Sequence, residues 1–222
     1  RMVDYEAVPM QTSPENATVG LGYVVGPAHD FERGLAISIL LDALMGGNES
    51  PIKRAILDAE IGGDCSAFLA DAQAYMTAVF VLRNVHPDSA QKFRQIIEEQ
   101  AAALVRDGIP RDVLQASLSQ LEFAVRERDR GIADGVALAM DVLACWIYKD
   151  DDATLGLHYE QLFKRMRAGL DGRYFEDLLE SLVCNTQHSA LVEVVPVEHL
   201  EEDEVTRILK EREQELTAEQ AQ

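Results

Sequence analysis

The stretch Leu44–Val85, LMGGNESPIKRAILDAEIGGDCSAFLADAQAYMTAVFVLRNV, decides the fold. It reads as a helix end, a glycine turn, a short helix, a second glycine turn and two strands. Gly46 and Gly47 can take φ > 0 and close the preceding helix. Ser50 is placed to cap the next helix, and Pro51 occupies its first turn, where the missing N–H costs nothing. Gly62 and Gly63 end that helix and admit the chain to a short strand, Cys65–Leu69. A long strand follows over Ala72–Val85. In it Tyr75, Thr77, Val79 and Val81 alternate with Met76, Ala78, Phe80 and Leu82. Apolar residues on both faces predict a central strand. No residue of the stretch is an obvious nucleophile, base or metal ligand, so on its residues alone it is scaffold.

Outward from this stretch, Asn16–Val25 is β-rich and reads as a strand. Its Gly20, Gly22 and Gly26 lie within the strand and lack the G-x-G-x-x-G spacing of a dinucleotide loop. Asp30 is a plausible N-cap for a helix over Phe31–Met45, apolar around most of its circumference and therefore expected to be buried. On the C-terminal side, His86-Pro87-Asp88 turns the chain into a series of helices. The first, Ser89–Asp107, carries Phe93, Ile96, Ile97, Ala101, Leu104 and Val105 at helical spacing and is closed by Gly108. The second starts at Pro110. The third carries the stripe Val136, Met140, Leu143 and Ile147. The fourth carries Leu162, Phe163, Met166 and Leu170, and the fifth Phe175, Leu178, Leu179 and Leu182. Ser189–Val195 is a closing strand. Residues 1–15 read as a linker and 16–197 as one domain. Residues 198–222 read as an acidic helix with one narrow apolar stripe, Val205, Ile208, Leu209 and Leu216.

The 222 residues carry a formal net charge of −19, which disfavours binding to a phosphate backbone. The charge suits solubility, or an acidic wall that attracts basic peptides. Cys65, Cys145 and Cys184 are odd in number and far apart, which argues against a disulfide framework and for a reducing compartment. No apolar run approaches the ~20 residues that span a bilayer. The chain begins at Arg1 without a visible signal peptide and reads as starting inside a longer polypeptide.

Two motifs carry a resemblance. Gly47-Asn48-Glu49-Ser50-Pro51 and Gly62-Gly63-Asp64 resemble the G-x-x-S-P helix start and G-x-D strand start of the pitrilysin–insulinase (inverzincin) zinc metallopeptidases, in their presequence-protease branch. The resemblance covers roughly Asn16 to Val197 and is to the second domain of that family. The family's zinc chemistry needs H-x-x-E-H, with two histidines on one helical face and a glutamate that activates water. His29-Asp30-Phe31-Glu32 has the first half, but Arg33 stands where the second histidine belongs. Glu198-His199 has the second half, but Val195 stands where the first belongs. His86, His158 and His188 are isolated. The family also uses an Arg and a Tyr from its other half, and no such pair is assignable here. Tyr75 has no accompanying Arg, and the run Arg126–Arg130 alternates with acids as a helix surface does.

The expectation is therefore an α+β fold: a mostly antiparallel sheet of about four strands with helices on one face. The resemblance implies a catalytically silent domain of a zinc-dependent peptidase that degrades unstructured peptides, with the zinc held in a separate N-terminal domain. It implies that the domain walls a substrate chamber. Substrate backbone is expected to add to the short strand, with Gly62, Gly63, Asp64, Cys65, Ser66, Ala67 and Phe68 as the binding residues. Expected partners are peptide substrates and other domains of the same polypeptide, with neither nucleic acid nor membrane. The expected compartment is the bacterial cytoplasm or the mitochondrial matrix. Residues 198–222 would start a linking helical hairpin. The alternative is a structural core or partner subunit of the same fold.

Overall fold

The computed structural model describes residues 16–86, 88–127, 133–148, 154, 157–196 and 204–215. The proposed linker, the cluster Arg128–Arg130, and Glu198 and His199 lie outside the described residues. The chain forms strand β1 (Ala17–Pro27), helices α1 (Phe31–Met45) and α2 (Pro51–Asp58), then strands β2 (Asp64–Ala70) and β3 (Tyr75–Val85). Helices α3 (Ala90–Asp107), α4 (Arg111–Glu127), α5 (Asp134–Trp146), α6 (Tyr159–Gly169) and α7 (Tyr174–Leu179) follow. A π-helical turn, Glu180–Cys184, leads to β4 (Ser189–Val194), and α8 (Glu204–Glu215) ends the described chain.

The four strands form one antiparallel sheet in the order β2-β3-β1-β4. This is the expected α+β class, with β3 central and β2 and β4 at the edges. Strand alternation sends Val19, Leu21, Tyr23 and Val25 of β1 and Met76, Ala78, Phe80 and Leu82 of β3 into the core on one face. Helix α1 lies in that layer, in contact with the sheet and with α2, α4, α6 and α7. Being enclosed on most sides, it carries buried apolar residues around most of its circumference, including Ile37, Ile39, Leu40, Leu41 and Leu44. Asp30 caps it as read from the sequence: its Oδ1 accepts from the Arg33 backbone N at 3.1 Å. On the opposite face Val24 of β1, Phe68 of β2 and Val192 and Val194 of β4 are exposed. A side chain at Gly20 would meet nothing within 4 Å there. No helix among the described residues is long and apolar enough to cross a membrane.

The structure corrects three local readings. Gly46 closes α1 in an ordinary right-handed conformation, φ −68°, and neither it nor Gly47 takes positive φ. Glycine is needed at 46 because a Cβ would stand 2.5 Å from Asp42 Oδ1 and 2.6 Å from Asp42 O. Ser50 precedes α2 but makes no side-chain cap bond; its hydroxyl instead accepts from the Gly47 N at 3.0 Å and ties off the turn. The left-handed residue after α2 is Glu60, φ 51°, ahead of the glycine pair.

The helical series holds in order, but one stripe faces the wrong way for a core. Phe93, Ile97 and Ala101 of α3, Phe163 and Met166 of α6, and Phe175, Leu178 and Leu179 of α7 are buried. On α5 and just beyond it, by contrast, Val136, Met140, Leu143 and Ile147 are exposed, while Ala137 is buried. Periodicity identifies the stripe but carries no information about which face finds a partner.

Candidate peptide-binding edge

Among the described residues strand β2 pairs only with β3, from Asp64 opposite Arg83 to Ala70 opposite Thr77. Its other side therefore presents main-chain N–H and C=O groups with no strand beside them, the arrangement that accepts an added strand. The glycine pair sets its start. The Gly63 N donates to Arg83 O at 2.9 Å, and the His86 N donates to Ile61 O at 3.1 Å, so the turn is stitched to the far end of β3.

The seven residues expected to bind peptide are thus brought together on one edge and its lead-in. Asp64 and Phe68 are exposed, Ser66 and Ala67 half-buried, and Cys65 points into the core. Lys53 of α2 lies 3.4 Å from Asp64 Oδ1 and anchors the strand's first residue. Burial pushes the Cys65 thiol up, with the Lys53 charge opposing and the Asp64 charge adding to the rise. A thiol held protonated in this way is a poor nucleophile and a poor metal ligand. Sequence reasoning missed the Lys53–Asp64 pair because the two residues belong to different elements. A lysine near the start of a short helix gives no local signal of its partner.

The histidines among the described residues do not come together as a zinc site. His29 precedes the Asp30 cap, so it stands outside the helix that carries Glu32. Glu32 is paired with Arg165 at 3.0 Å, and Arg33 Nη2 donates to the Ser181 hydroxyl at 3.4 Å. Among the described residues no group of three His, Cys, Asp or Glu side chains is placed to hold a metal ion. Two facing histidines are the minimum for an H-x-x-E-H centre, and this fold offers no such pair on α1. Tyr75 opens β3, exposed, opposite Pro27 of β1. Arg126 is bound to Glu122 at 2.6 Å and serves the α4 surface.

No family model matches the sequence. Protein HypA of Clostridium perfringens is 30% identical over 195 residues, which is 87% of this chain and 20% of that protein. Presequence protease 1, chloroplastic/mitochondrial, of Arabidopsis thaliana is 26% identical over 173 residues, 75% of this chain and 16% of that protein. The chain thus spans about a fifth or less of the length of these relatives. In fold it is similar to the crystal structure of a peptidase inactive domain from Pseudomonas fluorescens, at TM-score 0.56 and 12% identity, over 87% of this chain and 43% of that one. The two motifs, the relatedness to presequence proteases and the shared fold agree: the chain is related to the presequence proteases of the pitrilysin–insulinase family and resembles that family's second domain.

Proposed function

We propose that this chain is the catalytically silent second domain of a larger zinc metallopeptidase that degrades unstructured peptides. In this reading zinc and the water-activating glutamate belong to a separate domain of the same polypeptide. The uncovered sheet face walls the substrate chamber, and β2 takes substrate backbone along its open edge. The observation that carries the reading is that edge, which follows directly on Gly62-Gly63 and carries the small residues Cys65, Ser66 and Ala67. Strand addition depends on main-chain groups and on side chains small enough to let a second backbone approach. The charge of −19 supports a preference for basic peptides that weakens as salt screens it. The compartment proposed is the bacterial cytoplasm or the matrix of a mitochondrion.

The test is a pair of substitutions at Ser66 in the whole parent enzyme. Ser66→Pro removes a donor and disturbs the strand, whereas Ser66→Ala removes only a hydroxyl. Ser66→Pro is expected to weaken binding of long peptides while sparing very short ones, and Ser66→Ala to be mild. If Ser66→Pro folds normally and binds long peptides as the parent does, β2 is scaffold and the domain is a structural core.

A further inference from the structure

A cavity of about 460 Å³ opens at the C-terminal end of β2. Leu69 of β2 and Asp71 just beyond it form part of its lining, with Leu35 of α1, Leu121 of α4, Ala137 of α5 and Leu162 of α6. It lies on the helix side of the sheet, since Met76 of β3, which also lines it, points that way. The end of α5 reaches the β2–β3 turn, where the Tyr148 hydroxyl stands 3.5 Å from Ala72 O. The lining is dominated by aliphatic and aromatic carbon. The Ser38 hydroxyl is already committed to Gly34 O at 3.0 Å. Asp71 is the only ionisable carboxylate of the lining, and it is exposed.

We propose that this cavity receives a large apolar side chain, of leucine or phenylalanine type, from a peptide that runs along the open edge of β2. The inference rests on the strand-addition reading above and deepens it. A strand added beside β2 sends alternate side chains to the helix side of the sheet. The one that passes the Leu69 end arrives at the cavity. The volume accommodates a whole aromatic side chain, within the range of preformed ligand sites. Asp71 in the lining disfavours a peptide with an acidic residue at that point and tolerates a basic one. The backbone edge alone recognises no side chain, so this cavity is the element that makes the edge selective.

The test measures binding of end-blocked, extended, lysine-flanked peptides to the full 222-residue chain. The peptides differ at one position, which is Phe, Leu or Ser. The parent is expected to prefer Phe and Leu over Ser by about tenfold, the scale set by burying one such side chain. Ala137→Trp fills the cavity and is expected to abolish that preference. Leu162→Ala enlarges it and is expected to shift preference from Leu toward Trp, which keeps the proposal testable if the tryptophan variant fails to fold. Ser66→Pro is expected to weaken all peptides alike. A parent without the preference, or cavity variants that retain the parent's selectivity, overturns the proposal while the Ser66→Pro effect leaves strand addition standing. If Ser66→Pro is without effect, the strand-addition reading falls, and with it the cavity's role.

Discussion

Gly62 passes Leu82 with no room for a side chain: a Cβ on Gly62 would stand 2.9 Å from Leu82 Cδ1 and 3.0 Å from Arg83 O. The contact presses the lead-in of β2 onto the end of β3. Leu82 is itself buried in the core, so it has little freedom to move aside. Gly62→Ala is therefore expected to cost about 1–3 kcal/mol, the usual penalty for overpacking. The shift should be visible in the denaturant midpoint, with peptide binding at β2 weakened in parallel. An unchanged midpoint would mean that the turn relaxes freely.

A second prediction concerns a buried carboxylate. Glu176 of α7 is buried and accepts from the Ile109 backbone N at 2.9 Å. Ile109 sits in the connection between α3 and α4, so the bond ties that turn to α7. Glu176→Ala leaves the buried N–H without its partner and is expected to cost about 1–3 kcal/mol. Glu176→Gln keeps an acceptor oxygen and should lose much less. Thermal melts of the two variants against the parent separate the lost hydrogen bond from the lost charge.

The thiols give a pH signature. Burial raises the Cys65 thiol, and burial together with the Glu180 and Glu98 charges raises that of Cys184. A raised value means less thiolate at a given pH, so alkylation should be slow at neutral pH and accelerate only in a more alkaline range than for an ordinary cysteine. Cys184 is exposed and Cys65 buried, so Cys184 should react first. In a Cys145→Ser background, alkylation rates resolved by peptide mapping check both points. Equal rates at neutral pH would contradict the placement of Cys65 in the core.

The last prediction contrasts two helices. Phe93, Ile97 and Ala101 of α3 are buried against the core, whereas Val205, Ile208 and Leu209 of α8 are exposed. Arg207 and Glu211, 3.9 Å apart, are an exposed pair that adds little. Amide hydrogen exchange is expected to be fast across 204–215 and slow across 93–105. Equal protection would mean that α8 has found a partner on this chain.

Much of this molecule could be read from residue order alone. Period-2 alternation in Tyr75–Val85 located β3, because it is a local signal; one of its two apolar faces meets the helices and the other stays half-buried, and its place between β2 and β1 was set by strand pairing. Period-3.6 runs located α3, α6 and α7, and Asp30 marked the start of α1, because these signals are local in the chain. The position of β2 at the sheet edge was not legible, since it depends on which strand lies beside which. The same holds for the α5 stripe. Val136, Met140, Leu143 and Ile147 have the spacing of a core face, yet exposure is settled by what packs opposite, and it is Ala137 beside them that is buried. Gly62 makes the point at atomic scale: the sequence by itself determined that a glycine follows α2, but the tertiary structure decided why, through the close approach of Leu82 and Arg83 O at the end of β3. The cavity beside Leu69 draws on α1, α4, α5 and α6 at once. A site assembled from elements so far apart in the chain exists only once the fold has brought them together.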